Sequence, residues 1–160
     1  MKEIEVKVLD INKQDIIKKL KKLKAKKTFE GEIKATFFDY PTNTFKKNNQ
    51  LLRLRKKGNL AELTLKRDIS KNKAKIVEET ERVVDFNKTL KFLKSLGLIE
   101  VKKLAKKYRI SYQLKNIHFE IDKVEGIPAY LEIEATSVNH LEKALTLLNI
   151  PKSKAKPWTQ

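Results

Sequence analysis

Cysteine is absent from this 160-residue chain, and histidine occurs only twice, as His118 and His140. The first absence excludes disulfide frameworks, thiolate zinc sites, iron–sulfur clusters and thiol nucleophiles. The second excludes a three-histidine catalytic zinc, so a metal here would be a hard ion on carboxylates. Glycine and proline, four each, are too scarce for a disordered or collagen-like chain. No apolar run approaches the roughly 18 residues of a membrane span, and Met1 leads into charged sequence and not into a signal peptide. The expectation is a soluble cytoplasmic protein without a membrane partner, monomeric or homodimeric, of a length that fits one core.

What is abundant is charge. The 37 basic and 20 acidic side chains leave a net charge of +17, and only five of the basic residues are arginine. A lysine excess spread over every segment fits a solvated surface as well as a polyanion-binding one. The total does not separate the two; the placement of charges has to.

Residues 2–10 alternate strictly, with Glu3, Glu5 and Lys7 on one side and Ile4, Val6 and Val8 on the other, the period of a half-buried strand. From 13 to 26 the residues Ile16, Ile17, Leu20 and Leu23 recur at helical spacing. Strands are predicted at 28–39, 50–56, 60–67 and 75–84, with loops at 41–49 and 57–59. A helix at 88–96 closes on Gly97; strands follow at 99–114, 117–124 and 129–135, and a helix at 138–149. The order is βαβββ then βαβββα, over residues 1–151, with 152–160 a basic tail whose Trp158 is read as a core plug. Residues 8–13 resemble 83–88, each at a strand-to-helix junction, where capping alone favours such text.

Read by parity, the strands carry dense charge on one face: Glu3/Glu5/Lys7, Arg53/Arg55, Glu62/Thr64/Lys66, Lys107/Arg109/Ser111, His118/Glu120/Asp122 and Glu132/Glu134. Their other faces are apolar and suit the helix stripes. The charged side either faces water on an open sheet or lines a sheet closed on itself. Carboxylates two apart are a hard-metal arrangement, and arginines two apart are a phosphate arrangement. Three of the five arginines lie on these faces, and arginine holds its charge and forks onto phosphate when desolvated. A metal and a polyphosphate together would use both.

Glu3-Ile4-Glu5-Val6-Lys7 resembles the ExExK signature of the CYTH, or triphosphate tunnel metalloenzyme, superfamily, which includes class IV adenylyl cyclases and thiamine and inorganic triphosphatases. Leu52-Arg53-Leu54-Arg55, Leu63-Thr64-Leu65-Lys66, Lys107-Tyr108-Arg109, Asp122-Lys123-Val124-Glu125-Gly126 and Leu131-Glu132-Ile133-Glu134 resemble its later motifs, in its order, over residues 3 to 135. The resemblance implies an α+β fold: an eight-stranded antiparallel barrel, the triphosphate tunnel, with helices packed outside. It implies that Lys7, Arg53, Arg55, Lys66, Lys107 and Arg109 bind the triphosphate. Glu3, Glu5, Asp122, Glu132 and Glu134 would hold Mg²⁺ or Mn²⁺, with Glu3, Glu5 and Lys7 at the chemistry. The family's further ExE falls on 78–82, where either Glu79 and Glu81 or Glu78, Thr80 and Arg82 face inward. Residues 126–130 depart from the family, which often has a second glycine and a phenylalanine there.

The implied activity is a metal-dependent reaction on a triphosphate such as ATP, first as an adenylyl cyclase forming cyclic AMP and pyrophosphate, with triphosphate hydrolysis as the alternative. A non-catalytic polyanion or RNA binder, suggested by the charge and the basic segment 18–27, is the less favoured reading.

Overall fold

The structure is a computed structural model that describes residues 2–67, 76–83, 85–103 and 106–157. Among these residues are ten strands and four α-helices, an α+β fold in which the ladders within each unit are antiparallel. Contacts divide them into two compact units: a terminal unit from 2–31 and 107–157, and a central unit from 32–67, 76–83, 85–103 and 106.

The terminal unit holds β1 (Lys2–Val8), α1 (Lys13–Lys22), the first part of β2 (Lys26–Asp39), β7 (Lys107–Leu114), β8 (Ile117–Val124), β9 (Tyr130–Ala135), α4 (Val138–Leu147) and β10 (Ala155–Pro157). Its ladder runs β7–β8–β9–β1–β10. Parity then sorts the side chains. Val8, Ile110, Phe119, Ile121, Leu131 and Ile133 fall on one face and bury against Ile16 and Leu20 of α1 and Leu141, Ala144 and Leu145 of α4. Burying a leucine or isoleucine in this way contributes about 1.5–3 kcal/mol each. The opposite parity carries the charges.

The central unit holds the rest of β2, α2 (Thr44–Lys47), β3 (Leu51–Lys57), β4 (Leu60–Arg67), β5 (Ile76–Val83), α3 (Phe86–Ser95) and β6 (Ile99–Lys103). Its ladder is β6–β2–β3–β4–β5. Phe38, Leu52 and Leu54 pack with Leu93 and Leu98 in a second, smaller core.

The helices begin and end by local chemistry. Asn12 Oδ1 accepts from the Asp15 amide at 3.0 Å, Asp85 Oδ1 from Lys88 at 2.7 Å and Ser137 Oγ from His140 at 3.3 Å. The similar segments 8–13 and 83–88 do not share a cap: their alignment sets Asp10 against Asp85, whereas Asn12 is the cap of α1. Gly97 adopts φ +85°, with amide bonds from Gly97 to Lys94 and from Leu98 to Leu93 that close α3.

Three expectations shift. The strand predicted at 99–114 is two strands, with residues 104 and 105 outside the described set. The loop at 41–49 contains α2, held by buried Asp39, whose carboxylate accepts from the amides of Tyr40, Phe45 and Lys46. The basic tail contributes β10, which pairs Ala155–Pro157 with Val6–Val8. Trp158 lies outside the described residues. Alternation marks neither a three-residue strand nor a one-turn helix.

Candidate active site

In the terminal unit, cross-strand register brings the charged parity into one patch. Glu5 stands opposite Glu134 and Lys7 opposite Glu132. On the other side of β9, His118 faces Glu134, Glu120 faces Glu132 and Asp122 faces Tyr130. Arg109 faces Asp122 and Ser111 faces Glu120. Directly opposed carboxylates repel, so these pairs need neighbours that offset the charge.

Arg109 is the main one. It is buried, with Nε 2.6 Å from Asp122 Oδ1, Nη2 2.6 Å from Asp122 Oδ2 and 2.5 Å from Glu132 Oε2, and Nε 3.5 Å from Glu120. Lys107 Nζ donates to Asp122 Oδ2 at 2.6 Å, and Lys7 Nζ lies 3.2 Å from Glu132 Oε1. Ser111 Oγ donates to Glu120. Burial works to raise the Asp122 pKa, but the hydrogen bond and charge of Arg109, with Lys107, hold it below the ordinary carboxylate value. Glu132 is likewise held low against burial by the charges of Lys107, Arg109 and Lys7. Burial and the charge of Arg109 push Lys107 down, against Glu132 and Asp122.

Glu134 behaves differently. Burial, then the charges of Glu5 and Glu120, push its pKa up to about 8. Carboxylate oxygens of Glu5, Glu132 and Glu134 lie within 4.8 Å of one another, three hard donors converging on one point. The patch sets five carboxyl groups (Glu5, Glu120, Asp122, Glu132, Glu134) against three cations (Lys7, Lys107, Arg109), so acids outnumber cations; a divalent cation would offset that excess, and oxygen ligands suit Mg²⁺ or Mn²⁺. The donor set therefore fits the ion the sequence suggested. Glu3 lies on β1, and only its strand position is described.

The central unit has the opposite balance. Arg53 faces Thr64, Arg55 faces Glu62 and Leu51 faces Lys66. Thr64 and Lys66 are buried, and Arg55 engages Glu62 Oε2 through Nε at 3.1 Å and Nη2 at 2.6 Å. Four cations, Arg53, Arg55, Lys57 and Lys66, share this face of the two strands with one carboxylate, Glu62. The β5 register sets Glu81 opposite Leu63 and Glu79 opposite Leu65, while Glu78, Thr80 and Arg82 take the positions opposite Lys66, Thr64 and Glu62. Glu81 is exposed. Of the two parities weighed for this strand, the second is thus the one in register with the charged face.

The family model for the CYTH domain matches residues 1–155. This chain belongs to the CYTH family. A CYTH relative from Methanocaldococcus jannaschii, named "Putative adenylate cyclase", is 31% identical over 151 residues, covering 91% of this chain and 84% of that protein. The solved structure of the PH1012 protein from Pyrococcus horikoshii has a TM-score of 0.80 at 27% identity, covering 98% and 96% of the two chains. An adenylyl cyclase homologue from Hippeastrum, described as revealing a dominant triphosphatase activity, has a TM-score of 0.70 at 16% identity, covering 100% and 92%. At that identity the likeness shows the CYTH fold.

Several residues on the charged parity were not singled out as functional. Glu120 and Ser111 are buried members of the terminal network, and their positions were legible from alternation. Phe37, also buried, takes the place opposite Arg53 on β2, a strand whose adjacent Phe37 and Phe38 blur the parity signal.

Proposed function

We propose that this CYTH protein is a divalent-metal-dependent enzyme acting on a triphosphate, with ATP cyclisation to cyclic AMP and pyrophosphate as its reaction. The observation that carries this reading is the Glu5, Glu132 and Glu134 cluster, in a patch where acids outnumber the cations Lys7, Lys107 and Arg109. Glu5, Glu132 and Glu134, with Glu3 and Asp122, would hold Mg²⁺ or Mn²⁺. When bound, the ion supplies Lewis-acid polarisation of a phosphate oxygen.

The chain's own groups bind and orient. By the family resemblance, Lys7, Arg53, Arg55, Lys66, Lys107 and Arg109 are assigned to the phosphate oxygens, which arginine engages through paired N–H donors. In the cyclase reaction the ribose 3′-oxygen bonds to the α-phosphorus, the bond to the bridging oxygen breaks, and the hydroxyl proton leaves to a carboxylate or water. Catalysis is then positioning and charge stabilisation.

Hydrolysis with water as nucleophile would use the same groups. The M. jannaschii relative's name favours the cyclase and the description of the Hippeastrum protein favours hydrolysis. Incubation of the full chain with ATP and Mg²⁺ or Mn²⁺, with products resolved chromatographically, decides. Cyclic AMP with pyrophosphate is expected; inorganic phosphate without cyclic nucleotide would establish the triphosphatase. No turnover, with salt-dependent nucleic-acid binding that survives Glu134→Gln, would replace both with a polyanion binder.

A further inference from the structure

Tyr130 opens β9, and its parity places it with Glu132 and Glu134 on the charged face. It takes no part in the hydrophobic core that the other face of this strand builds. Its partner across the ladder is Asp122. Lys7 Nζ stands over its ring, 4.5 Å from the centroid, while the same ammonium lies 3.2 Å from Glu132 Oε1.

Two contacts therefore fix Lys7 from different directions. Its side chain has four rotatable bonds and a head that a single carboxylate restrains in distance more than in direction. The negative face of an aromatic ring supplies a second restraint and attracts the cation. An aliphatic residue would fill the space and supply neither.

We propose that Tyr130 is a positioning residue: its ring face aims the Lys7 ammonium along the acidic patch, so that phosphate meets a cation already in place. The catalytic consequence rests on the triphosphate reading above, whereas the Lys7–Tyr130 contact does not.

The test has two arms. In wild-type protein with isotope-labelled lysine, the ε-methylene resonances of Lys7, identified by their loss in Lys7→Gln, are expected to be shifted upfield by the ring current. That shift should persist in Tyr130→Phe and vanish in Tyr130→Leu. In turnover assays Tyr130→Leu is expected to lower kcat about tenfold, with KM changed less than about twofold, and Tyr130→Phe to stay within about twofold of wild type. An unshifted Lys7 resonance, wild-type kcat in Tyr130→Leu, or equal damage from phenylalanine and leucine would overturn the proposal. If the wild type turns over no triphosphate, the functional reading fails and the Lys7 resonance alone decides the contact. The same resonance decides it if Tyr130→Leu does not fold.

Discussion

Arg109 in the terminal unit and Arg53 and Arg55 in the central unit stand on strands of the same alternating pattern, yet their surroundings differ. Arg109 is buried among three carboxylates and two of its nitrogens are committed to Asp122 and Glu132. Arg55 shares one oxygen of one carboxylate, and the residues opposite Arg53 and Arg55 on β2 are Phe37 and Ala35. On one face acids outnumber cations, and on strands β3 and β4 of the other, cations outnumber acids. In the first, arginine is a counter-ion for the protein's own acids; in the second, Arg55 engages a single acid, Glu62, in the setting we propose for an anionic ligand. Residue type alone does not separate the two roles. The sign of the local excess does.

The sharpest way to break this comparison is to remove one acid from the cluster. Glu134→Gln takes away one of the proposed metal ligands while keeping its shape, and metal-dependent turnover is expected to fall on the order of a thousandfold. Retained turnover would remove the acidic patch from the reaction. Next in size is the contrast between arginines. Arg109→Met leaves Asp122, Glu132 and Glu120 buried without their shared cation, and should cost about 3–5 kcal/mol of stability. Arg53→Met should cost about 1 kcal/mol or less in stability and weaken ATP binding by about 1.5–3 kcal/mol. Denaturant unfolding and nucleotide titration of both variants check the pair, and equal stability losses would erase the distinction between the units.

A pH series sharpens the same contrast. Glu134 has a folded pKa of about 8, above its ordinary value near 4.5. Its contribution to stability is therefore full below about pH 4.5 and lost as pH rises through 8, because the unfolded chain releases the proton first. In Glu134→Gln that loss should be absent. A bound divalent ion replaces the proton, so Mg²⁺ or Mn²⁺ should raise the melting temperature more at pH 9 than at pH 6. A metal-induced shift that is constant with pH would place the ion elsewhere.

Much of this was legible in the sequence because a strand's period of two sorts acids and apolar residues without reference to the rest of the chain. Glu5, Lys7, Glu132 and Glu134 are two residues apart on their strands, and the order of the motifs carried the family. What alternation cannot carry is which charges meet across strands. That both oxygens of Asp122 meet Arg109 and Lys107 at 2.6 Å was not readable from its own strand. Register, set by the hairpin at Lys115 and Asn116, makes that meeting, and no pattern within one strand reports it. Glu79 and Glu81 show the same limit: two parities fitted the text, and only pairing with β4 put Arg82 opposite Glu62.

The smallest expected effect concerns Glu62, the acid that partly offsets the central face. Burial works to raise its pKa, but the hydrogen bond and charge of Arg55 hold it below the ordinary value. Its stabilisation is therefore present above the unfolded pKa and is lost as pH falls through the lower folded one. Glu62→Gln removes the charge and keeps the shape. At neutral pH it should cost about 1 kcal/mol, and the variant and wild type should converge in stability at acid pH, once the wild-type carboxylate is protonated. ATP affinity should move the other way, rising about two- to threefold, because Arg55 no longer shares its guanidinium with an internal carboxylate. A loss of affinity in Glu62→Gln would mean that Glu62 orients Arg55 for the ligand and does not compete with it, and the central face would then resemble the terminal one in using its acids to aim its cations.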